Sequence, residues 1–88
     1  MSRIYVVYSI APTSNLTENK SYPSLKEAVE GAKYYAMLHK LKFMVWGHYH
    51  VKPRLFGLIG DSYNMEALAE IDKDGNIRKL DAAKHIDM

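Results

Sequence analysis

Two histidines, His48 and His50, stand two residues apart just after Trp46, the single tryptophan of the 88-residue chain. Imidazole nitrogens ligate zinc and iron, act as general bases and gain a proton near neutral pH. In a β-strand, residues two apart share a face and lie about 7 Å from each other along the strand. The pair therefore suggests three hypotheses: a metal site, a catalytic base, or the polar part of a binding surface.

A metal site would need at least one more ligand besides the two imidazoles. The side chains of suitable type are His39, His85, Asp61 and Glu66. No spacing selects one of them. The His-x-His pair resembles the metal-binding strand of cupin barrels, but that fold needs more chain than 88 residues provide. We therefore expect neither a metal nor another cofactor.

Catalysis has little support in the residue types present. The chain has no cysteine, which excludes a thiolate nucleophile, a disulfide framework and a cysteine-rich zinc site. A histidine of the pair could activate a nucleophile only if the fold brings Ser62 or Asp61 close to it. A domain of this length also has little room for a deep pocket. The expectation is a protein that is not an enzyme.

Two short motifs look like ligand sites but lack the required pattern. Asp72, Asp74 and Asn76 match the first ligands of a calcium loop, but the glycine falls at the fourth position and Ala83 stands where the final glutamate is needed. Residues 57–60 lack the third glycine and the following helix of a dinucleotide fingerprint. The first motif is interpreted as a turn and the second as part of a strand or bend.

The clearest structural signal is a helix from Leu25 to about His39. Ser24 and Glu27 have the spacing of a capping box, and good helix formers follow. One stripe at helical spacing is apolar and is expected to face the core. Its members are Leu25, Ala28, Val29, Ala32, Tyr35 and Ala36.

Strand-like segments surround this helix. A first strand over residues 3–10 should bury the face that bears Ile4, Val6, Tyr8 and Ile10, and residues 11–23 should form a loop, with room for a short irregular strand. A strand near 42–51 follows the helix, with Met44, Trp46, His48 and His50 on one face and Val45, Gly47, Tyr49 and Val51 on the other. Residues 55–60 form a further short apolar run.

The C-terminal third is ambiguous between helix and strand. Residues 65–72 are helix formers, but Asp74-Gly75 is a strong hairpin signal, which favours a hairpin of 67–71 with 76–80 over a short helix. Together the segments predict one α+β domain over 1–88, a small two-layer fold with one helix on an antiparallel or mixed sheet of four or five strands. The expected order is β-α-β-β-β, with a further strand as an option, and a frayed tail over 81–88.

Charge is unevenly distributed along the chain. Residues 39–60 carry four Lys or Arg and no Asp or Glu, whereas residues 61–88 carry four Lys or Arg and seven Asp or Glu. Cations interleaved with aromatic rings are what sequence-tolerant nucleic-acid binding uses. The alternative hypothesis is therefore a nucleic-acid site over 39–54. Its proposed residues are Lys40, Lys42, Phe43, Trp46, Lys52 and Arg54.

The preferred hypothesis is a binding site for another protein. Aromatic and arginine side chains supply much of the energy of protein interfaces, and a basic surface favours an acidic partner. The outer side of the helix adds an apolar patch that a partner or a second copy of the chain would cover. The proposed residues are Trp46, His48, His50, Lys52 and Arg54 on the strand, and Tyr34, Met37, Leu38 and Leu41 on the helix.

The N-terminal apolar run of about seven residues is too short for a signal peptide or a membrane span, so we expect a soluble, cytoplasmic protein with no membrane partner. In having one helix, a small sheet and a charged aromatic strip, the chain is similar to small phage-encoded proteins that bind and inhibit a host factor. That resemblance implies an inhibitor or adaptor. Histidines in its interface would make binding depend on pH between about 5.5 and 7.

Overall fold

A computed structural model of the chain describes residues 5–15, 18–51 and 62–83, and of residues 50, 51, 62 and 63 it describes the backbone. The predicted run at 55–60 lies outside these residues. The elements are β1 (Tyr5–Pro12), β2 (Lys20–Tyr22), α1 (Leu25–His39), β3 (Phe43–Val51), β4 (Ser62–Ile71), β5 (Ile77–Lys79) and a 3₁₀ turn (Asp81–Ala83).

The five strands form one sheet in the order β2-β1-β3-β4-β5, and every neighbouring pair is antiparallel. The helix packs on this sheet, which confirms the predicted α+β class. The order along the chain differs slightly from the prediction, because the short strand β2 precedes the helix. Strand β2 corresponds to the short irregular strand that was allowed for within the predicted loop over residues 11–23.

Strand β1 departs from simple alternation near its start. The pairing with β3 shifts register between Tyr5 and Val7, which leaves Val6 as an extra residue. The predicted burial of Val6 is therefore wrong, and its side chain is 52% exposed. Beyond the shift, Tyr8 and Ile10 face the helix as expected. The strand also runs two residues further than predicted, to Pro12, which lies opposite Phe43 at the end of the ladder.

The capping prediction for the helix is confirmed at its start. Ser24 Oγ accepts a hydrogen bond from the backbone N–H of Glu27 at 3.2 Å and donates one to the Glu27 carboxylate at 3.0 Å. At the other end, Lys40 adopts the left-handed conformation with φ 55°, and the N–H of Leu41 bonds to the carbonyl of Ala36. This is a Schellman-type end, and it occurs here without the usual glycine.

Three alanines of the predicted stripe, Ala28, Ala32 and Ala36, form the contact between helix and sheet, and all are fully buried. Small side chains on the helix let it approach the sheet closely, so the sheet supplies the bulk of the core. The large core residues are Ile10, Phe43, Val45 and Ile71. Leu25, Val29 and Tyr35 pack around them, which confirms the whole stripe.

Close packing also accounts for Gly47 in the middle of β3. A β-carbon at this position would lie 2.6 Å from the ring of Tyr5 and 2.8 Å from Leu68, whose side chain is fully buried. Any side chain at this position would therefore clash with Tyr5 and Leu68 and overpack the sheet.

The predicted C-terminal hairpin is confirmed, and β4 begins earlier than expected, at Ser62. Ile71 pairs with Ile77 across the turn, and the Asp72 carboxylate accepts hydrogen bonds from the backbone N–H groups of Asp74 and Asn76, both at 2.9 Å. These bonds, led by that from Asn76, hold the pKa of Asp72 below its ordinary value. The motif that resembles a calcium loop is thus a turn, in which the Asp72 carboxylate accepts hydrogen bonds from the backbone of the turn itself. The tail over 81–88 was predicted to be frayed. Its first three residues instead form the 3₁₀ turn, in which Ala83 is fully buried.

Lys40→Gly is expected to stabilise the protein. Most residues other than glycine destabilise the folded state by about 1–2 kcal/mol when they adopt the left-handed conformation, whereas glycine adopts it at little steric cost. Glycine also gains more conformational freedom in the unfolded chain, which offsets about 0.4–1 kcal/mol of this advantage. Urea denaturation should show a gain of about 0.5–1 kcal/mol in the free energy of unfolding. Lys40→Ala is the matched control, because it removes the same charge but keeps the β-carbon. An equal gain in both variants would contradict the explanation.

Candidate functional site

The two faces of β3 have different surroundings, as the alternation predicted. Val45 is fully buried under the helix, whereas Trp46 and His48 point to the opposite face, where they are half-buried. Trp46 lies opposite Ser9 of β1 and Ala67 of β4. No second helix among the described residues covers this side of the sheet. We call it the open face.

A hydrogen bond links His48 to the neighbouring strand. Its Nε2 lies 2.7 Å from the hydroxyl oxygen of Ser9, a side chain that is only 4% exposed. Either group can donate, depending on the tautomer of the imidazole. The bond holds the ring of His48 beside Trp46.

The open face contains a shallow depression of about 370 Å³ next to Trp46. Its walls are contributed by strands β1, β2, β3 and β4 and by the residue before β2. The lining residues are Ser9, Ala11, Asn19, Ser21, Trp46, His48 and Met65. Met65 lies opposite His48 in the β3–β4 ladder and is 51% exposed. A tryptophan, a methionine and an imidazole thus border one concave, mostly apolar surface.

Part of the predicted strand site lies outside the described residues. Lys52 and Arg54 belong to the segment that is not described, and His50 is placed in β3 by its backbone alone. Within the described part of the chain, no three His, Asp or Glu side chains are grouped to hold a metal. Among the described residues, His48 hydrogen-bonds to Ser9, and no carboxylate orients the imidazole as a catalytic triad requires.

One end of the open face is charged. Glu70 lies opposite Met44 and accepts a hydrogen bond from Arg78 at 3.0 Å, and the Lys42 ammonium lies 3.5 Å from the same oxygen. Partial desolvation alone would raise the pKa of the Glu70 carboxyl, but the hydrogen bond and charge of Arg78, with the charge of Lys42, outweigh it and lower the pKa below 4.5. The cation of Lys42 is therefore already paired.

The nucleic-acid hypothesis loses one of its stacking rings. Phe43 is 6% exposed and belongs to the core, where its ring lies 6.3 Å from that of Tyr35. It cannot stack on a base without unfolding the helix contact. Lys40 is exposed, Lys42 pairs with Glu70, and Trp46 remains accessible on the open face.

The predicted helix patch is exposed, but it is not continuous with the open face. Tyr34 is 61% exposed and Leu38 56%, with Met37 at 50% and Leu41 at 42%. Tyr34 and Leu38 lie on the side of α1 that points away from the sheet. Met37 lies beside the turn at Gly75, and Leu41, which follows the helix, lines a concave surface together with Phe43. Trp46 and His48 lie on the far side of the same sheet. The two halves of the predicted surface therefore point in opposite directions, and a flat partner surface can cover only one of them.

Sequence reasoning missed Ser9 and Met65 as members of the open face. Alternation along β1 places Ser9 on the side away from Tyr8 and Ile10, so the sequence was sufficient to predict which face of the sheet bears Ser9. Its contact with His48 depends on the register of two strands that are separated by a loop and a helix. Met65 was obscured because its segment has the composition of a helix.

In comparisons with known proteins, no family model matches this chain, and neither a curated protein nor a solved structure matches it. Among the helices of the described residues, none has the length and apolar character needed to cross a bilayer. The site must therefore be interpreted from its own geometry.

Glu70→Gln should destabilise the protein at neutral pH only. A carboxyl whose pKa is lowered on folding stabilises the native state above its ordinary pKa of 4.5, and this contribution is lost as the pH falls through the lowered value. At pH 7 we expect a loss of less than about 1 kcal/mol, because Arg78 and Lys42 are largely solvated.

Urea denaturation at pH 7 and near pH 2.5 measures this difference. Glu30→Gln, on the exposed side of α1, is the control for removal of a carboxylate without these partners. A difference between wild type and Glu70→Gln that persists undiminished at the lower pH would contradict the assignment of the effect to the ionised group.

Proposed function

We propose that this chain is a small non-catalytic binding protein whose open face, centred on Trp46 and His48, contacts another protein. The observation that carries the proposal is that the described sheet has a helix on one face only, while the other face groups Trp46, His48 and Met65 around a depression. Among the described residues, no further layer covers this tryptophan, and exposed apolar surfaces of this kind mark interaction sites.

The composition of the open face supports a protein partner. Trp and Met are enriched at the centres of protein interfaces, where they supply large contact areas. Met44 and Met65 flank the tryptophan on β3 and β4, and unbranched thioether side chains adapt their shape to a partner. The depression beside Trp46 has room for one side chain of the partner, the arrangement typical of an interface hot spot.

The edges of the sheet argue that contact occurs through the face. Both edge strands, β2 and β5, have three residues each, and each carries lysine or arginine. Short, charged edge strands discourage the addition of a further strand from another chain. A partner is therefore expected to dock on the side chains of the open face rather than extend the sheet.

The charge of the surrounding sequence favours an acidic partner. Residues 39–60 contain four Lys or Arg and no acidic residue, and these cations stand before and after the strand that bears Trp46. Complementary charge speeds association and orients the partner. An inhibitor or adaptor that covers an acidic site on its target fits this description.

Trp46→Ala should abolish capture of the partner from a lysate of the native host. Loss of a central tryptophan costs about 2 kcal/mol or more at an interface, which is roughly a thirtyfold loss in affinity. The measurement is a tagged pull-down with and without nuclease, with the recovered proteins identified by mass spectrometry. Met65→Glu, at a half-exposed position, repeats the test without removing a large ring.

Leu38→Ala is the matched control, since Leu38 is exposed on the opposite side of the domain. Equal loss of the partner in the Leu38 variant, or full retention in the Trp46 and Met65 variants, would refute the open face as the site. Recovery that depends on intact nucleic acid would favour the nucleic-acid alternative. Capture of the chain by itself, with a doubled mass in solution, would identify a second copy as the occupant.

The affinity for an acidic partner should rise as the pH falls from 7 to 5.5. Histidine side chains generally gain a positive charge in this range, and His48 lies on the open face, hydrogen-bonded to the hydroxyl of Ser9. Titration calorimetry at the two pH values measures the change, with His48→Gln as the variant in which it should disappear. An affinity that stays constant in the wild type would remove His48 from the contact.

A further inference from the structure

A second concave surface lies on the helix side of the sheet, away from the open face. It is a cleft of about 450 Å³ between the C-terminal half of α1, the end of β1, strand β2 and the start of β3. Pockets that hold small molecules commonly have volumes of about 300–1,000 Å³. The volume is therefore sufficient for a ligand of one or two rings.

The floor of the cleft is apolar. Ile10 and Phe43 reach it from the core, and Pro12 borders it at the end of β1. Leu41 forms the rim and remains 42% exposed, held in place by the bond from its N–H to the carbonyl of Ala36. The floor residues are already buried, so the apolar surface that a ligand would remove from water is mainly that of Leu41, at a gain of about 25 cal/mol per Å².

One wall of the cleft consists of stacked flat rings. The ring of Tyr35 is nearly parallel to that of His39, with centroids 6.0 Å apart and an interplanar angle of 6°. On the core side, Tyr35 stacks with Phe43 at an angle of 24°. An array of this kind accepts a further planar ring in an offset stack more readily than a branched aliphatic group.

The mouth of the cleft has a cation, Lys20, with no acidic partner in the part of the chain that the structure describes. The Lys20 ammonium lies 5.2 Å from the centre of the Tyr35 ring, over its face, and has no ion pair among the described residues. Glu18 is the acid nearest in sequence that lines the cleft, and its carboxylate accepts a hydrogen bond from the side chain of Asn15 at 3.0 Å. Lys20 is thus available to pair with a negative group on a ligand.

We propose that this cleft binds a small planar aromatic carboxylate, with the ring against Tyr35 and Leu41 and the carboxylate paired with Lys20. The apolar floor and the stacked wall select the ring, and the ammonium selects the charge. This site and the depression beside Trp46 lie on opposite faces of the sheet, and the one residue that borders both is Asn19, just before β2. The proposed contacts with Tyr35, Leu41 and Lys20 involve none of the open-face residues Trp46, His48 and Met65.

The test is a titration of the full chain, labelled with ¹⁵N, with 2-naphthoate, followed by NMR. Amide shifts should concentrate at residues that line the cleft. Lys20→Met should weaken the binding of 2-naphthoate by about tenfold, as expected for loss of a charge-assisted hydrogen bond. The neutral probe 2-naphthalenemethanol should bind more weakly than 2-naphthoate to the wild type and equally to both proteins.

Lys26→Met is the matched control, because Lys26 is an exposed lysine near the opposite end of α1. Unchanged positions of the other amide signals verify that each variant is folded. The proposal is overturned if 2-naphthoate produces no shifts in the cleft, if the shifts lie on the open face, or if Lys20→Met leaves its affinity unchanged. Trp46→Ala should leave this binding intact, so the outcome is separate from that of the pull-down.

Discussion

The contact of Ala28, Ala32 and Ala36 with the sheet determines most of the architecture of this domain. Three methyl groups allow α1 to lie close to strands whose own side chains fill the layer between them. Burial of each large side chain in that layer, such as Ile10 or Ile71, stabilises the fold by about 1.5–3 kcal/mol. An 88-residue chain can build only one such layer in this way, so the described helix is committed to one side of the sheet.

Because the helix lies on one side of the sheet, the exposed surfaces of the domain fall on two opposite sides. On the side away from the helix, Trp46, His48 and Met65 are grouped by the antiparallel pairing of three central strands. On the helix side, Tyr34 and Leu38 point away from the sheet, and the cleft bordered by Leu41 lies at the end of the helix. A surface that is continuous along the sequence, from the helix into β3, is therefore divided between opposite sides of the molecule.

The polar side chains of the sheet bond to one another. Glu70 is paired with Arg78 and Lys42 at one end of the open face, and the hydroxyl of Ser9 is satisfied by His48. No buried side-chain polar atom of the described residues lacks a hydrogen-bond partner. The short edge strands carry charge. The side chains of the open face are thus held in position by neighbouring strands.

The sequence by itself determined the features that depend on local chemistry. The cap at Ser24, the helix from Leu25 to His39, the alanine stripe and the turn at Asp72 follow from spacing and turn preferences within a few residues. The alternation along β3 likewise separated Trp46 and His48 from the core. Each of these signals is local, and each is read from neighbours in the chain.

Only the tertiary structure decided which distant residues meet. The register shift at Val6 exposes a valine that alternation would bury, and the pairing of β1 with β3 brings Ser9 to His48 across 39 positions of sequence. The burial of Phe43 and the placement of Lys20 beside Tyr35 depend on how the helix end meets the edge of the sheet. Such contacts result from packing the whole core at once, and no single segment of the sequence encodes them.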